Sequence, residues 1–151
     1  MKDKIQDKDK TLLKLTFAIK TGLTVDELLS KTLPHYIKVI DYKAALIIEN
    51  KEKISVEKVF PEIYKTKNAI KDTLAYLKKQ STQICLEESY YDVVKTHNGF
   101  HHIFKLSDYG YIILVKTQDI SSRLQTDLIA VFQFYGQTLM NSQYLEDKRL
   151  I

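Results

Sequence analysis

Histidine is the residue type in this sequence best suited to chemistry, since imidazole can ligate a metal or haem and can exchange protons near neutral pH. Three of the four histidines, His97, His101 and His102, lie within six residues. On a strand, however, the adjacent His101 and His102 point to opposite faces. Asn98-Gly99 separates His97 from His101, so these two do not share one helical face, as zinc ligands often do. With no second cysteine or nearby acid to complete a ligand set, the sequence predicts no metal site and implies no cofactor.

Two tyrosines precede these histidines and have both an apolar ring and a polar tip. If the chain has a ligand pocket, the predicted lining is Tyr90, Tyr91 and His97, with one of His101 or His102. No catalytic residue is predicted, because the sequence has no Gly-x-Ser-x-Gly motif, no glycine-rich phosphate loop and no paired carboxylates in a recognisable cleft. The sequence therefore predicts a domain without enzymatic activity.

Cys85 is the only cysteine, which excludes an internal disulfide. Its apolar neighbours Ile84 and Leu86 predict a buried, inert thiol. The start, Met1-Lys2-Asp3-Lys4, is followed by more charge and not by an apolar signal region. No apolar run approaches the roughly 20 residues of a membrane span. The expectation is a cytoplasmic protein without a membrane span.

The composition of the 151 residues, 44% apolar and 28% charged, predicts one globular domain over 1–151. The net charge of +4 raises the question of nucleic-acid binding. The lysines are interleaved with acids, as in Lys51-Glu52-Lys53, and the only arginines are Arg123 and Arg149. Because arginine most often reads bases and clamps phosphates, nucleic-acid binding is disfavoured.

Three stretches before the carboxyl-terminal region predict helices. Apolar residues at helical spacing run from Thr11 to Gly22, a suitable residue for a helix end. Thr24-Val25-Asp26-Glu27 is a capping box that starts a second helix, continuing to Ile40, in which Pro34 should produce a kink or a split. A third helix is predicted over roughly residues 68–79.

The strand predictions fall between and after these helices. The segment 43–49 is apolar on both parities, so both faces of this strand should be covered. Residues 54–57 alternate as a half-exposed strand would. Residues 83–86 are predicted as a short strand, and Ser89-Tyr90-Tyr91-Asp92 as the cap of a helical turn through Val94. Residues 100–106 and 111–116 are predicted as an antiparallel hairpin joined by Ser107-Asp108-Tyr109-Gly110.

The last predicted helix extends from about residue 120 to Ile151, with N-cap oxygens at Ser121 and Ser122 and no stop signal. A 4-3-4-3-4-3 spacing of side chains along it is typical of a helix that packs along another helix. The sequence therefore predicts a signalling and dimerisation helix in a parallel homodimer, in which charges at Leu128 and Val131 would weaken self-association. The seam residues are Leu124, Leu128, Val131, Tyr135, Thr138, Ser142 and Leu145.

This order of elements predicts an α+β domain with an antiparallel sheet of about 5–6 strands. The amino- and carboxyl-terminal helices should cover one face. A short helix and loops should cover the other, where a ligand pocket is expected.

Three stretches give the chain a resemblance to a GAF domain over nearly all of its length. Residues 12–19 followed by 23–29 are similar to the family's opening helix, break and second helix. Residues 41–48 are similar to its first strand, and Tyr109–Lys116 followed by the helix from Ser121 resembles its closing strand and exit helix. A PAS-like or other profilin-like sensor is the alternative.

The resemblance implies a GAF-like fold and a regulatory role. Such domains sit beside histidine kinases, cyclases, phosphodiesterases or transcription regulators, bind small molecules or each other, and dimerise through their first and last helices. The implied function is a sensory domain of an intracellular signal-transduction protein, with a downstream kinase, cyclase or regulator as partner. A receptor domain for haem or another small ligand, or the amino-terminal domain of a transcription regulator, remains the alternative.

Three branches of the family are disfavoured by the residues present. The cyclic-nucleotide signature contains Asn-Lys, whereas Lys67-Asn68 has the reverse order, and no well-placed Phe followed by Asp-Glu is found. Bilin attachment commonly uses Cys-His, whereas Leu86 follows Cys85. Reduction of free methionine sulfoxide needs a second cysteine to resolve the sulfenic acid, and the chain has one cysteine.

Overall fold

The computed structural model describes residues 19, 23–50, 54–61, 68–84, 90–96 and 99–149. These ranges contain three helices and five strands. In chain order the elements are α1 (Val25–Ile40), β1 (Ala44–Asn50), β2 (Ile54–Phe60), α2 (Asn68–Ile84), β3 (Tyr91–Thr96), β4 (Gly99–Leu106), β5 (Gly110–Lys116) and α3 (Ser122–Arg149).

The five strands form one open sheet in the order β2-β1-β5-β4-β3, and every neighbouring pair is antiparallel. The predicted α+β class and antiparallel sheet are therefore present. The central strands β1 and β5 pair over nearly their whole length, from Ala44 opposite Val115 to Glu49 opposite Gly110. The predicted β4–β5 hairpin is also present, and its turn is closed by the Tyr109 amide, which donates to the Leu106 carbonyl at 3.0 Å.

Both faces of the sheet are covered. In β1 all residues from Ala44 to Ile48 are 0% exposed, as the apolar pattern on both parities predicted. Ala45 and Ile47 pack with α1 and α3 on one face, which we call the α1/α3 face. Ala44, Leu46 and Ile48 pack on the other, the α2 face. The helix predicted over 11–22 lies outside the described residues, apart from Ile19, which is buried on the α1/α3 face.

Helix α1 begins at the predicted capping box. The Glu27 amide donates to Thr24 Oγ1 at 3.1 Å, and the Thr24 amide donates to Glu27 Oε1 at 3.5 Å. Pro34 does not split the helix, which is continuous from Val25 to Ile40. The side chains of Leu33 and Tyr36, beside the proline, are fully buried. Their packing offsets the local cost of about 3 kcal/mol for an internal proline.

Two local predictions are wrong. Gln83 and Ile84 end α2 and do not form a strand, while residues 85 and 86 lie outside the described part. Tyr91–Thr96 is a strand and not a helical turn, because its Tyr and Val residues favour a pleated surface and because it pairs with β4 from Tyr91–Phe104 to Thr96–Gly99.

Helix α3 is 28 residues long and starts where Ser121 Oγ accepts a hydrogen bond from the Leu124 amide at 3.1 Å, one of the two predicted caps. It lies antiparallel to α1. Tyr36 contacts Phe132, with ring centroids 6.1 Å apart, whereas the Val25 amide at the start of α1 donates to Glu146 Oε1 near the end of α3 at 2.7 Å. In the described part of the chain, no helix combines the length and the apolar character needed to cross a bilayer.

Candidate functional site: the two histidines of strand β4

Strand β4 places two adjacent histidines on opposite faces of the sheet, as strand alternation predicts. His101 is 1% exposed and His102 is 0% exposed. A buried imidazole needs partners for both of its ring nitrogens, because an unpaired polar atom in the interior costs free energy. The candidate site is defined by which ring nitrogens of these two histidines have hydrogen-bond partners and which do not.

His101 faces α2. Its Nδ1 lies 2.6 Å from Thr73 Oγ1 of α2, whereas its Nε2 is buried and has no hydrogen-bond partner among the described residues. Burial lowers the pKa of His101, and the neighbouring His102 lowers it further. The ring is therefore neutral at pH 7, and its Nε2 can donate to or accept from a group that enters this side of the sheet.

A hydrogen-bonded cluster on the same face joins α2 to β3. Asp92 Oδ2 accepts from Tyr90 OH at 2.9 Å and from Tyr76 OH, and its Oδ1 accepts from the Val93 amide at 2.8 Å. The hydrogen bond to Asp92 raises the pKa of Tyr76, and burial followed by the same hydrogen bond raises the pKa of Tyr90. Both hydroxyls therefore stay protonated and act as donors at neutral pH.

His102 faces the opposite side. Its Nδ1 lies 2.8 Å from Tyr91 OH, and the two rings stack at an angle of 16°. Phe100 stacks against the imidazole as well, at an angle of 17° and a centroid distance of 6.2 Å. The Nε2 atom lies 3.8 Å from Asp119 Oδ1, and it has no hydrogen-bond partner within the described ranges that meets normal geometry. Two aromatic rings thus hold this imidazole in place.

Asp119 belongs to the linker 117–121, which joins β5 to α3. Its Oδ1 accepts a hydrogen bond from the next amide, that of Ile120, at 2.8 Å, and its side chain is 57% exposed. At the base of the same linker, Lys116 Nζ donates to the carbonyls of Ile40 at 2.9 Å and Asp41 at 3.0 Å. The end of the sheet, the last turn of α1 and the start of α3 therefore meet around His102.

The charges around His102 act in opposite directions. Burial lowers its pKa most strongly, and Lys116 also lowers it, whereas the Asp119 carboxylate and the Gln118 backbone raise it. Because the overall shift is downward, the ring is neutral at pH 7. Burial raises the pKa of Tyr91 to about 12, with smaller contributions from the Asp119 and Asp92 carboxylates, so its hydroxyl keeps its proton.

The structure divides the residues predicted to line a pocket between the two faces. Tyr90 and His101 lie on the α2 face, whereas Tyr91 and His102 lie on the α1/α3 face. His97 lies outside the described residues. The sequence reasoning missed three groups that act on the histidines, namely Thr73, Lys116 and Asp119, and also the hydrogen-bonded cluster that Tyr76 and Asp92 form with Tyr90. Tyr91 lies opposite Phe104 and Val93 lies opposite His102, so recognition of β3 as a strand in this register would have placed Tyr91 and His102 diagonally on one face.

The predicted dimer seam of α3 packs mostly inside the protomer. Leu128 and Tyr135 are 0% exposed and Val131 is 4% exposed, all against α1 and the sheet, and Leu124 packs at the edge of the same cluster. Leu145 is 44% exposed. A 4-3 spacing shows that a helix has an apolar stripe, but it does not show which element packs on that stripe. The large side chains that α3 presents to solvent are Phe134, Tyr144 and Leu145.

Two surface cavities lie beside the β4–β5 turn, far along the sheet from the histidines. One has a volume of about 440 Å³ and the other of about 250 Å³, and Asp108 lines both. The lining of the first also includes Ser107, Gln133, Phe134 and Gln137. The lining of the second also includes Glu49, Tyr109, Met140, Gln143, Tyr144 and Asp147. Neither includes a residue predicted to bind a ligand.

Comparisons of this chain with protein-family models, with curated proteins and with solved structures gave no match. In the part of the chain that the structure describes, no three His, Cys, Asp or Glu side chains are grouped so that they could hold a metal ion. Function is therefore inferred from the fold and from the surroundings of β4.

Proposed function

We propose that this chain is a regulatory sensory domain of GAF-like architecture, without enzymatic activity, that binds a small molecule and passes the signal through α3. An antiparallel sheet of five strands, with α1 and α3 on one face and α2 on the other, is compatible with that architecture. The side-chain contacts of β4 support the proposal more specifically than the fold does.

The observation that carries the proposal is that β4 presents one histidine to each layer. His101 points towards α2 with a buried Nε2 that has no partner among the described residues. His102, the next residue, points towards the linker that starts α3 and lies 3.8 Å from Asp119. A ligand that shifts β4 through His101 would therefore also shift the contact between His102 and the linker.

The proposed ligand is a small molecule with a hydrogen-bonding group, bound between α2 and the β3–β4 part of the sheet. Such a group would satisfy His101 Nε2, whose unpaired state costs about 1–3 kcal/mol for a buried polar atom. Thr73 holds the ring through Nδ1 and fixes the direction of Nε2. The hydroxyls of Tyr76 and Tyr90 already donate to Asp92 and so keep the adjacent surface rigid.

The proposed signal is a displacement of α3. This displacement also affects α1, because α1 contacts both β5 and α3. Lys116 donates to the carbonyl of Ile40, the last residue of α1, and Glu146 of α3 accepts from the first amide of α1. Self-association of two copies through the terminal helices is part of the proposal. Phe134, 46% exposed, and Leu145, 44% exposed, are the apolar side chains of α3 available for it.

Native mass spectrometry of the purified chain, followed by thermal melting with a panel of small metabolites, tests the proposal. We expect a co-purifying or added ligand to raise the melting temperature of the wild type, and His101→Leu to abolish that increase. His35→Leu, on the half-buried outer part of α1, is the matched control and should keep the full increase. If the ligand stabilises the H101L variant as much as the wild type, the proposed ligand position is wrong.

Haem binding is the second candidate, and a specific observation favours it. Both β4 histidines have Nδ1 beside a hydroxyl group and a buried Nε2 without a hydrogen-bond partner in the described part, and a second hydrogen bond of this kind commonly orients a ligating imidazole. A Soret band of the chain mixed with hemin, lost in H101L or in His102→Leu, would support this candidate. A spectrum equal to that of free hemin would dismiss it.

A further inference from the structure

The smaller of the two cavities beside the β4–β5 turn, of about 250 Å³, has a charge opposite to that of the chain. The whole sequence has a net charge of +4, whereas among the described residues that line this cavity three are carboxylates and none is basic. Glu49 comes from the end of β1, Asp108 from the β4–β5 turn and Asp147 from the last turn of α3. A cleft lined by charges of one sign concentrates counter-ions, so this cavity, which we call the acidic cavity, attracts cations.

The three carboxylates suit an organic cation better than a metal ion. In the part of the chain that the structure describes, no three His, Cys, Asp or Glu side chains are close enough together to hold one metal ion. Separate carboxylates can still attract an alkylammonium group, because charges act on one another without meeting at one point. A volume of about 250 Å³ is slightly below the range of about 300–1,000 Å³ for pockets of drug-sized ligands, so the acidic cavity has room for a small cation.

The chain already places an ammonium group at the acidic cavity. Tyr144 lines the cavity and is 58% exposed. The ammonium of Lys148, one helical turn further along α3, lies over the Tyr144 ring, 4.7 Å from its centroid. This distance is within the range of about 6 Å over which the face of an aromatic ring attracts a cation. Lys148 is exposed, so a ligand ammonium can take its position on the ring.

Hydrogen bonds hold the walls of the acidic cavity in place. Gln143 Nε2 donates to Glu49 Oε1 at 2.9 Å, which fixes the carboxylate of β1 against α3. Tyr109 is 3% exposed, and its amide closes the β4–β5 turn. Met140 adds a partly buried apolar side chain that the methyl or methylene groups of a ligand can contact. Little of the cavity therefore has to become ordered when a ligand enters.

We propose that the acidic cavity is a binding site for a small organic cation of the alkylammonium class. The carboxylates of Glu49, Asp108 and Asp147 attract the charge, and the Tyr144 ring contacts it in place of water. Lys148 competes with the ligand for this ring. The acidic cavity lies far along the sheet from the β4 histidines, so the proposal does not depend on the ligand proposed for the α2 face.

A nuclear magnetic resonance titration of the isotopically labelled full chain, at constant ionic strength, tests the site. The probes are choline and butylammonium, and the control is the neutral isostere of choline, in which a tert-butyl group replaces the trimethylammonium group. We expect at least one ammonium probe to shift the signals of Gln143, Asp108 and Tyr144 to saturation, and the isostere to bind about tenfold more weakly. Equal shifts with the isostere or with sodium chloride, or no shift with either ammonium probe, would overturn the proposal.

Two substitutions on α3 should change the affinity in opposite directions. Tyr144→Leu removes the ring and should weaken binding about two- to fivefold, as expected for a cation–π contact at an exposed site, whereas Tyr144→Phe should retain the affinity. Lys148→Gln removes the competing ammonium and should strengthen binding by a similar factor. Lys79→Gln, at an exposed position of α2, is its matched control and should have no effect. An unchanged affinity in K148Q or in Y144L would contradict the site.

A third substitution tests the charge of the cavity. Asp147→Asn should weaken binding about two- to fivefold, as expected for an exposed ion pair, and Asp72→Asn, at an exposed position of α2, should have no effect. Equal weakening by D147N and D72N would assign the interaction to the overall charge of the chain and would overturn the proposal. A tetralysine peptide is the last probe. If it binds while neither ammonium probe does, the cavity is a contact site for a protein and the proposal is wrong.

Discussion

Adjacent residues of one strand can be equally buried and yet have different roles. His101 and His102 are both almost completely inaccessible, but Thr73 of α2 holds the first, and Tyr91 and Phe100 hold the second. Hydroxyl groups that can donate or accept occupy both Nδ1 positions. The two Nε2 atoms are therefore the ring atoms left without a hydrogen-bond partner among the described residues, one on each side of the sheet.

Stability should decrease as the pH falls through the region below 6.5. The pKa of both histidines is lowered in the folded chain, so the unfolded chain binds protons more readily in this region. Urea unfolding at pH 7.5 and pH 5.5 measures the difference in the free energy of unfolding between the two pH values. His101→Gln and His102→Gln should each reduce this difference, and His35→Gln provides the control. A pH dependence that both β4 variants leave unchanged would assign the effect to other groups.

At Gly136, α3 lies directly against the backbone of Leu106 in β4. A Cβ atom at this position would lie 2.2 Å from the carbonyl carbon and 2.3 Å from the oxygen of Leu106, which are backbone atoms that cannot rotate away. We expect Gly136→Ala to lower the free energy of unfolding by about 1–3 kcal/mol, although alanine favours a helix over glycine by about 1 kcal/mol. Chemical denaturation measures the effect.

The control for this variant is Ala130→Gly, at an exposed position of the same helix. This change should cost about 1 kcal/mol through helix propensity alone. A G136A protein as stable as the wild type would show that α3 can move away from Leu106 without cost.

At the scale of elements, α1 is held at both ends by charged side chains from other parts of the chain. Glu146 places a negative charge at its amino-terminal end, and Lys116 places a positive charge at its carboxyl-terminal end. Each charge has the sign that the helix dipole favours. The capping box of Thr24 and Glu27 adds local hydrogen bonds at the first of these ends.

Glu146→Gln should lower the free energy of unfolding by about 0.3–1 kcal/mol, because it removes the charge but keeps an acceptor for the Val25 amide. Glu146→Ala removes the acceptor too, and should cost about 1–2 kcal/mol. Denaturation at low and high salt distinguishes the contribution of the charge from that of the hydrogen bond, since salt screens only the contribution of the charge. Asp147→Asn, one residue further along α3, is the matched control and should have little effect.

The elements with local signals could be predicted from the sequence. The capping box at Thr24, the β4–β5 hairpin and the alternation of His101 and His102 all depend on residues close together in the chain. Strand β3 could not, because Ser89-Tyr90-Tyr91-Asp92 has the local pattern of a cap, and only its pairing with β4 makes this segment a strand. The partners of the histidines come from α2, β3 and the linker, so no local pattern reveals them.

At the scale of the whole molecule, the chain is three layers thick, with β1 and β5 at the centre. The apolar spacing of α3 was predicted to face a second copy, and most of it faces α1 and the sheet of the same protomer. Sequence periodicity shows that a helix face is buried, but the same pattern results from either partner. Three-dimensional packing is needed to distinguish the two.

Charge substitutions on the two sides of α3 should therefore have different effects. Leu128→Asp places a carboxylate where the wild-type side chain is 0% exposed, and it should unfold the protomer. Phe134→Lys, at a side chain that is 46% exposed, should keep the fold and weaken any self-association. Circular dichroism and sedimentation at increasing concentration measure the two properties.

The control for F134K is Ala75→Lys, which adds the same charge to the exposed side of α2. A wild-type chain that sediments as a monomer at high micromolar concentration would contradict the proposed homodimer. A folded L128D protein would contradict the assignment of Leu128 to the protomer core.

The hydrogen bond between Val25 and Glu146 has a mechanical consequence. It joins the start of α1 to the last turns of α3 across a separation of 121 residues. Since α1 and α3 are antiparallel, tension applied at residues 24 and 147 pulls on neighbouring helix ends. Such a force loads the pair in an unzipping geometry, in which contacts break one after another. We expect the Val25–Glu146 contact to break first, before the strand pairs are loaded.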